Sequence, residues 1–205
     1  MAETPGSPAL LAGRRVSLLP RSGGQSHIGT VQAWETVDGR LTVRVATDAS
    51  GVAALDRHRV WLSPLRRIDQ ETGITIFAGR AVAEGEEALV LEDLVRLVED
   101  PRRAAVRAAG CLVSLPAAGG PKRTVGTLDL SRGGVRLPVG LGGWTYDDPL
   151  ELTIHLDTST IIAVGRILRV ELEARAVVLL FDKLEDEDAE AIDRYAIAKL
   201  ERRMA

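Results

Sequence analysis

The most constraining feature of this sequence is a series of short segments in which apolar and polar side chains alternate. Between residues 150 and 156 every second side chain is apolar, and residues 41–46 show the same alternation. A period of two places the apolar side chains on one face of a β-strand and leaves the other face to water. Many short strands separated by turns are typical of small antiparallel barrels and sandwiches. The sequence therefore predicts an all-β fold.

The first half of the chain contains two hairpin patterns. Asp38-Gly39 and Glu84-Gly85-Glu86 each lie between two strand-like segments. Asp-Gly is a strong signal for a two-residue β-hairpin turn, because glycine adopts the positive φ angles that such a turn needs. Together with the apolar segments at residues 15–19 and 60–62, these hairpins predict a small barrel of about six strands.

The tripeptide Glu99-Asp100-Pro101 interrupts this pattern. A proline biases the residue before it away from helical backbone angles, so Asp100 is not expected to continue into a helix. We place a domain boundary here. Residues 1–99 are predicted to form an N-terminal β-barrel of which roughly the first ten residues are disordered. Residues 100–205 are predicted to form a second domain.

The second domain has the same β pattern and then changes to a helical one. Strand-like segments continue as far as Phe181, which with the residues before it is predicted to be buried on both faces. Residues 186–203 begin with acidic side chains and end with basic ones, which matches the helix macrodipole. The predicted architecture is two small antiparallel β-barrels in tandem, the second followed by a C-terminal α-helix.

Composition disfavours several classes of protein. The formal net charge of −3 argues against bulk binding of DNA or RNA, which usually requires a basic surface. Cys111 is the single cysteine, so neither an intrachain disulfide nor a cysteine-based zinc site can form. Residues 1–8 lack the features of a signal peptide, and no run approaches the ~18 apolar residues of a membrane span. We expect a cytoplasmic protein without membrane insertion.

The chain contains no recognisable catalytic or metal-binding pattern. His27, His58 and His155 are widely separated and have no ligand cluster beside them. Residues 119–124 are rich in glycine but lack the spacing of a phosphate-binding loop, and there is no nucleophile elbow. We therefore expect no enzymatic activity, no metal site and no cofactor.

Two short motifs offer chemistry that suits an anionic ligand. Arg102, Arg103 and Arg107 can each donate paired hydrogen bonds to a phosphate or stack on a base. Residues 129–134 add an acid, a hydroxyl and two glycines on a turn. Taken separately, a solvated linker explains the arginines and an ordinary hairpin turn explains residues 129–134. The two motifs together favour a nucleotide-like ligand.

In this order, Arg103-x-x-x-Arg107 and Asp129-x-Ser131-x-x-Gly134 resemble the two-part signature of the PilZ domain family. These domains are bacterial β-barrels that bind the second messenger cyclic di-GMP. The strand-like segments near residue 181 and the C-terminal helix also resemble the family, so the resemblance covers residues 100–203. More loosely, the region before Arg102 resembles the N-terminal barrel of flagellar-brake-type PilZ proteins.

The resemblance implies a role for each motif residue. The arginines of the linker arm, residues 101–108, would bind phosphates and guanine edges, and Asp129 would accept from guanine N1 and its exocyclic amine. Ser131 would offer its hydroxyl, and Gly134 would let the backbone approach the ligand closely. The implied ligand-binding residues are Arg102, Arg103, Arg107, Asp129, Ser131 and Gly134, with Arg132, Gly133 and Arg136 as additional candidates.

On this interpretation the chain is a cyclic di-GMP receptor. The ligand would clamp the arm onto the second barrel, change the arrangement of the two domains and so regulate a downstream protein, such as a flagellar or cell-envelope component. A ligand-independent PilZ-like structural or adaptor protein is the alternative, and an RNA-binding barrel is disfavoured by the acidic net charge. The sequence leaves open the oligomeric state and whether one nucleotide or a stacked pair binds.

Overall fold

The computed structural model divides into two compact units, residues 1–104 and residues 105–205. The described residues are 12–37, 40–65, 73–100, 105–117, 120–138, 144–146 and 148–204. The predicted turn at Asp38-Gly39, the predicted disordered start, and both Arg102 and Arg103 lie outside the described residues.

The described residues of unit 1 form a closed antiparallel barrel of six strands and a short helix. Its elements are β1 (Arg15–Pro20), β2 (His27–Val37), β3 (Arg40–Ala46), α1 (Ala49–Leu55), β4 (Arg59–Pro64), β5 (Ile74–Ala83) and β6 (Ala88–Asp100). Around the barrel the strands follow the order β1-β2-β3-β6-β5-β4. The hairpin predicted around Gly85 is confirmed, because β5 and β6 pair there and Gly85 adopts a φ of 93°.

The core of unit 1 follows the alternation in the sequence. On β3, Val43 and Val45 are buried whereas Arg44 between them is exposed. Burial of a valine or leucine side chain contributes about 1.5–3 kcal/mol, so these alternating positions stabilise the barrel substantially. Helix α1 was not predicted, since its seven residues are too short to show a helical period. The Asp48 carboxylate caps it by accepting from the Gly51 amide at 2.7 Å.

Unit 2 is a seven-stranded antiparallel sheet followed by a long helix. Its elements are β7 (Leu112–Ala117), β8 (Gly120–Gly126), β9 (Asp129–Ser131), β10 (Gly134–Leu137), β11 (Leu150–His155), β12 (Thr160–Glu171), β13 (Ala176–Lys183) and α2 (Asp186–Met204). The strand order is β8-β7-β11-β12-β13-β10-β9. The segment that precedes β7 also pairs with β9, because Ala108 and Leu130 exchange two backbone hydrogen bonds of 3.0 and 2.8 Å. This pairing links the segment that leads into β7 to β9, which lies at the opposite end of the strand order.

The predicted all-β class and the C-terminal helix are confirmed. On β11, Leu150, Leu152 and Ile154 are buried, as the alternation predicts. The prediction that the segment ending at Phe181 is buried on both faces was wrong, because Leu180 is 50% exposed on the outer face of the sheet. A continuous apolar run does not distinguish a strand buried on both faces from one that exposes a leucine.

Helix α2 packs on the rest of unit 2 through one apolar face. Its buried residues are Ala189, Ile192, Tyr195, Ala196 and Ile197. Acidic residues occupy its first turn and Arg202 and Arg203 its last, an arrangement that favours the helix dipole at both ends. Within the described part of the chain, no helix is both long and apolar enough to cross a membrane.

Candidate ligand-binding site

The hairpin of β9 and β10 places the second motif on the outer face of unit 2. Ser131 lies opposite Gly134, and Asp129 lies opposite Arg136. Leu130, between Asp129 and Ser131, is fully buried. Since successive side chains of a strand point to opposite faces and directly paired residues share one face, the motif positions lie together on the side away from the core.

Arg107 reaches this face because its two neighbours are buried. Val106 and Ala108 are only 4% and 6% exposed, whereas Arg107 between them is exposed. The pairing of Ala108 with Leu130 sets the position of the segment beside β9. Arg107 therefore lies over the outer face, where its Nη1 donates to Asp129 Oδ2 at 2.9 Å. The structure thus brings the two motifs, which lie 22 positions apart in sequence, into direct contact.

The ion pair between Arg107 and Asp129 is well placed to be shared with a ligand. The Arg107 side chain is 48% exposed and that of Asp129 is 26% exposed. An exposed pair of this kind contributes about 0–1 kcal/mol, so its rearrangement has a low cost. A guanidinium has five N–H donors, so donation through Nη1 leaves Arg107 able to donate to an anion as well.

Gly134 is required by the packing of the protein itself. A Cβ at this position would lie 2.2 Å from the Leu179 carbonyl oxygen and 3.3 Å from the Leu180 Cα on β13. Gly133 has no such constraint, since its Cβ would meet only the Ser131 Oγ at 4.0 Å. The Ser131 hydroxyl lies 3.5 Å from the Gly134 carbonyl oxygen, a long hydrogen bond that leaves it available to a ligand.

Arg136, an additional candidate, is held by an acid of β12. Its Nε and Nη2 donate to Glu171 Oε2 at 2.8 and 2.7 Å. Arg169 also donates to Glu171, and the two arginines, Arg169 first, lower the pKa of the Glu171 carboxyl below its usual value. An anionic ligand that recruited Arg136 would have to compete with this carboxylate.

Arg132, in the turn between β9 and β10, is held by helix α2. Its Nη1 lies 3.2 Å from Asp193 Oδ2. The Asp193 side chain is only 19% exposed, and its other oxygen, Oδ1, has no hydrogen-bond partner among the described residues. Burial raises the pKa of Asp193 to about 6, with a smaller contribution in the same direction from Glu190, while Arg132 opposes the rise. Asp193 therefore keeps its proton to a higher pH in the folded protein than a free aspartate does.

Replacing Asp193 with asparagine is expected to raise the free energy of unfolding at pH 7.5 by about 2–3 kcal/mol. The folded protein binds the Asp193 proton more tightly than the unfolded chain, whose pKa is close to 3.8. The contribution of this group to stability therefore falls as the pH rises from about 4 to about 6, and it stays low above that. Urea denaturation of both proteins at pH 4.5 and pH 7.5 measures the difference, which should be larger at pH 7.5. An asparagine variant of equal or lower stability at pH 7.5 would contradict this expectation.

Several residues that organise the site were not predicted from the sequence. Val106 and Ala108 anchor the segment that carries Arg107, and Glu171 and Asp193 bind the two additional arginines. The alternation of Val106, Arg107 and Ala108 was the available signal for the anchors. Neither acid had a signal in the sequence, because each lies far along the chain from its arginine.

The structure describes some of the predicted ligand-binding residues and not others. It brings together Arg107, Asp129, Ser131 and Gly134, whereas the positions of Arg102 and Arg103 lie outside the described residues. The ligand role of these residues stays a prediction. Across the described ranges, no group of three or more His, Cys, Asp or Glu side chains is arranged to hold a metal ion.

Among solved structures, the chain is similar to several proteins at low sequence identity. The inhibitor of motility MotI (DgrA) of Bacillus subtilis is 16% identical, with a TM-score of 0.45, and the match covers 95% of this chain and 100% of that chain. YcgR of Escherichia coli, in complex with c-di-GMP, is 12% identical, with a TM-score of 0.41 and coverage of 94% and 85%. MrkH of K. pneumonia, in complex with c-di-GMP, is 14% identical, with a TM-score of 0.41 and coverage of 94% and 89%. No curated protein sequence matches the chain.

The family comparison covers the same region as the site. The model of the PilZ domain matches residues 101–198, which include both motifs, all of β7 to β13 and most of α2. Its start coincides with the arginine arm, and its end lies in the helix that contacts the motif turn through Asp193. Residues 101–198, which are 98 of the 205 residues of the chain, are identified as a PilZ domain by this match.

Proposed function

We propose that this protein is a receptor for cyclic di-GMP. The observation that carries the proposal is the contact between Arg107 and Asp129, which unites both PilZ motifs on one exposed face. A cation and an anion side by side suit a ligand that carries phosphates and hydrogen-bond donors together. The resemblance of these motifs to the PilZ signature favours cyclic di-GMP as that ligand.

The chemistry of the two side chains supports a guanine nucleotide. The Arg107 guanidinium can donate paired, charge-assisted hydrogen bonds to a phosphodiester. Asp129 is an acceptor at both oxygens when ionised, and guanine presents two adjacent donors, N1–H and the exocyclic amine. Adenine has no donor at N1 and no amine at C2, so Asp129 discriminates between the two purines. In this proposal Ser131 and the arm arginines Arg102 and Arg103 complete the contacts to the ligand.

The proposed output is a change in the arrangement of the two units. The arm, residues 101–108, connects them, so a ligand that binds the arm arginines and the β9–β10 hairpin acts on the connection itself. A ligand shifts such an equilibrium only by the difference between its affinities for the two arrangements. The downstream partner in this proposal is a protein of the flagellum or cell envelope, and the protein itself acts as a receptor without catalysing a reaction.

Isothermal titration calorimetry of the purified full chain tests the proposal. We expect cyclic di-GMP to bind with micromolar or tighter affinity and cyclic di-AMP to bind at least about 100-fold more weakly, since a site built to pair with donors strongly rejects a ligand that lacks them. Asp129→Asn should weaken cyclic di-GMP binding by roughly 10–100-fold, because the amide replaces one acceptor with a donor. The same titration gives the ligand stoichiometry.

The matched control for Asp129→Asn is Glu151→Gln on β11. Glu151 is likewise a surface acid in an ion pair, here with Lys122 at 3.3 Å, and it lies outside the motif. The Glu151→Gln variant should bind cyclic di-GMP with the same affinity as the unmodified protein. If the folded, unmodified protein gives no binding heat, the proposal of a cyclic di-GMP receptor is wrong, and a ligand-independent adaptor is favoured.

A further inference from the structure

Arg132 is positioned between the proposed ligand site and the C-terminal helix. It lies in the two-residue turn between β9 and β10, directly after the motif residue Ser131. Its side chain is half exposed, but its guanidinium is turned to helix α2, where Nη1 lies 3.2 Å from Asp193. The same turn residue is therefore adjacent to the ligand face in sequence and bound to the helix in space.

The contact between Arg132 and Asp193 does not compensate the burial of the carboxylate. Asp193 Oδ1 has no hydrogen-bond partner among the described residues, so half of the carboxylate is buried without a donor. Two charged groups act on Asp193: Arg132 from the β9–β10 turn, which favours the ionised form, and Glu190 from α2, which disfavours it. Burial outweighs the net effect of these two charges and raises the pKa of Asp193 to about 6. The pair is only partly buried, and it can be exchanged because the acid can take up a proton when Arg132 leaves.

An anion on the outer face would attract the same guanidinium. The arginine side chain is long and flexible, and a turn position does not commit it to either face of the hairpin. A phosphodiester keeps its charge throughout the pH range in which Asp193 titrates. The ligand is thus a permanent competitor for Arg132, whereas Asp193 is a competitor only when it is ionised.

We propose that Asp193 and the bound nucleotide compete for Arg132, so that binding transfers Arg132 from helix α2 to a phosphate of the ligand. The inference rests on the proposed function and assigns Arg132 as a ligand contact and Asp193 as the residue that withholds it. When Arg132 leaves, Asp193 takes up a proton from solvent and α2 loses its ionic contact with the motif turn. Ligand occupancy is thereby transmitted to the C-terminal helix.

Proton uptake on binding sets the direction of the pH dependence. Loss of Arg132 raises the pKa of Asp193 further, so the bound state holds the proton more tightly than the free state. By linkage, the affinity for the nucleotide increases as the pH falls from 8 towards 6 and levels off below about 6. The effect depends on both side chains, so removal of either one abolishes it.

Calorimetric titration of the full chain with cyclic di-GMP at pH 6, 7 and 8 tests this inference. We expect the unmodified protein to bind roughly tenfold more tightly at pH 6 than at pH 8. Asp193→Asn should bind at pH 8 as tightly as the unmodified protein does at pH 6, and its affinity should not depend on pH. Arg132→Ala should bind more weakly than the unmodified protein at pH 6, also without pH dependence.

Glu187→Gln, an acid on the exposed first turn of α2, is the matched control and should retain the pH dependence of the unmodified protein. An Asp193→Asn variant that binds more weakly than the unmodified protein at pH 8 would overturn the inference, since Asp193 would then support the ligand site. So would pH-independent binding by the unmodified protein. Both results are compatible with the proposed function as a cyclic di-GMP receptor. A lack of binding at every pH would instead contradict that proposed function.

Discussion

The Gly134→Ala variant is expected to lose at least about 3 kcal/mol of the free energy of unfolding of unit 2. The added Cβ would lie 2.2 Å from the Leu179 carbonyl oxygen, closer than non-bonded atoms approach each other. The obstacle is backbone, so no change of side-chain rotamer relieves it. Strands β10 and β13 must separate, and the pairs of Gly134 with Leu180 and of Val135 with Leu179 are weakened. Ligand binding should fall with the fold of the hairpin.

The neighbouring glycine is the control for this effect. In Gly133→Ala the Cβ meets only the Ser131 Oγ at 4.0 Å, so its stability should remain within about 1 kcal/mol of the unmodified protein. Urea denaturation followed by far-ultraviolet circular dichroism compares the two variants. The chain has two compact units, so two transitions must be fitted. Equal stability of both variants would contradict the prediction, because it would show that β13 can move away from a Cβ at position 134.

The Arg107→Ala variant is expected to bind cyclic di-GMP about 100-fold more weakly than the unmodified protein, with little change in stability. Charge-assisted hydrogen bonds contribute about 1.5–3 kcal/mol each, so the low end of this range for a bidentate phosphate contact, about 3 kcal/mol, corresponds to a change of this size. Stability should change by less than about 1 kcal/mol, because the ion pair with Asp129 is exposed. Calorimetry measures the affinity, and denaturation of the same sample measures the stability.

Unit 1 offers a control with closely similar geometry. Arg40 Nη1 donates to Asp93 Oδ1 at 3.0 Å, and both side chains are exposed. Arg40→Ala therefore removes the same atoms from a similar ion pair that is not part of the PilZ motifs, and the affinity for cyclic di-GMP should not change. A similar loss of affinity in both variants would point to a general effect of charge and would contradict a specific role for Arg107.

Elements with a local cause were predictable from the sequence. The burial of Leu150, Leu152 and Ile154 follows from a period of two, and helix α2 follows from the charges at its ends. Helix α1 escaped prediction because its seven residues, about two turns, are too few to show a helical period. The exposure of Leu180 was mispredicted because the run of apolar residues on β13 carries no information about which face is covered.

By itself, the sequence determined the all-β class, the terminal helix and the two motifs with their order, since these depend on local patterns and on residue chemistry. Only the tertiary structure decided which of their atoms meet. Arg107 contacts Asp129 because Ala108 pairs with Leu130, and that register is a long-range backbone contact without a local signal. Likewise the need for glycine at position 134 arises from a carbonyl on another strand, and the hold on Arg132 arises from an acid on the last helix. Long-range packing sets these distances, and packing follows from the whole fold.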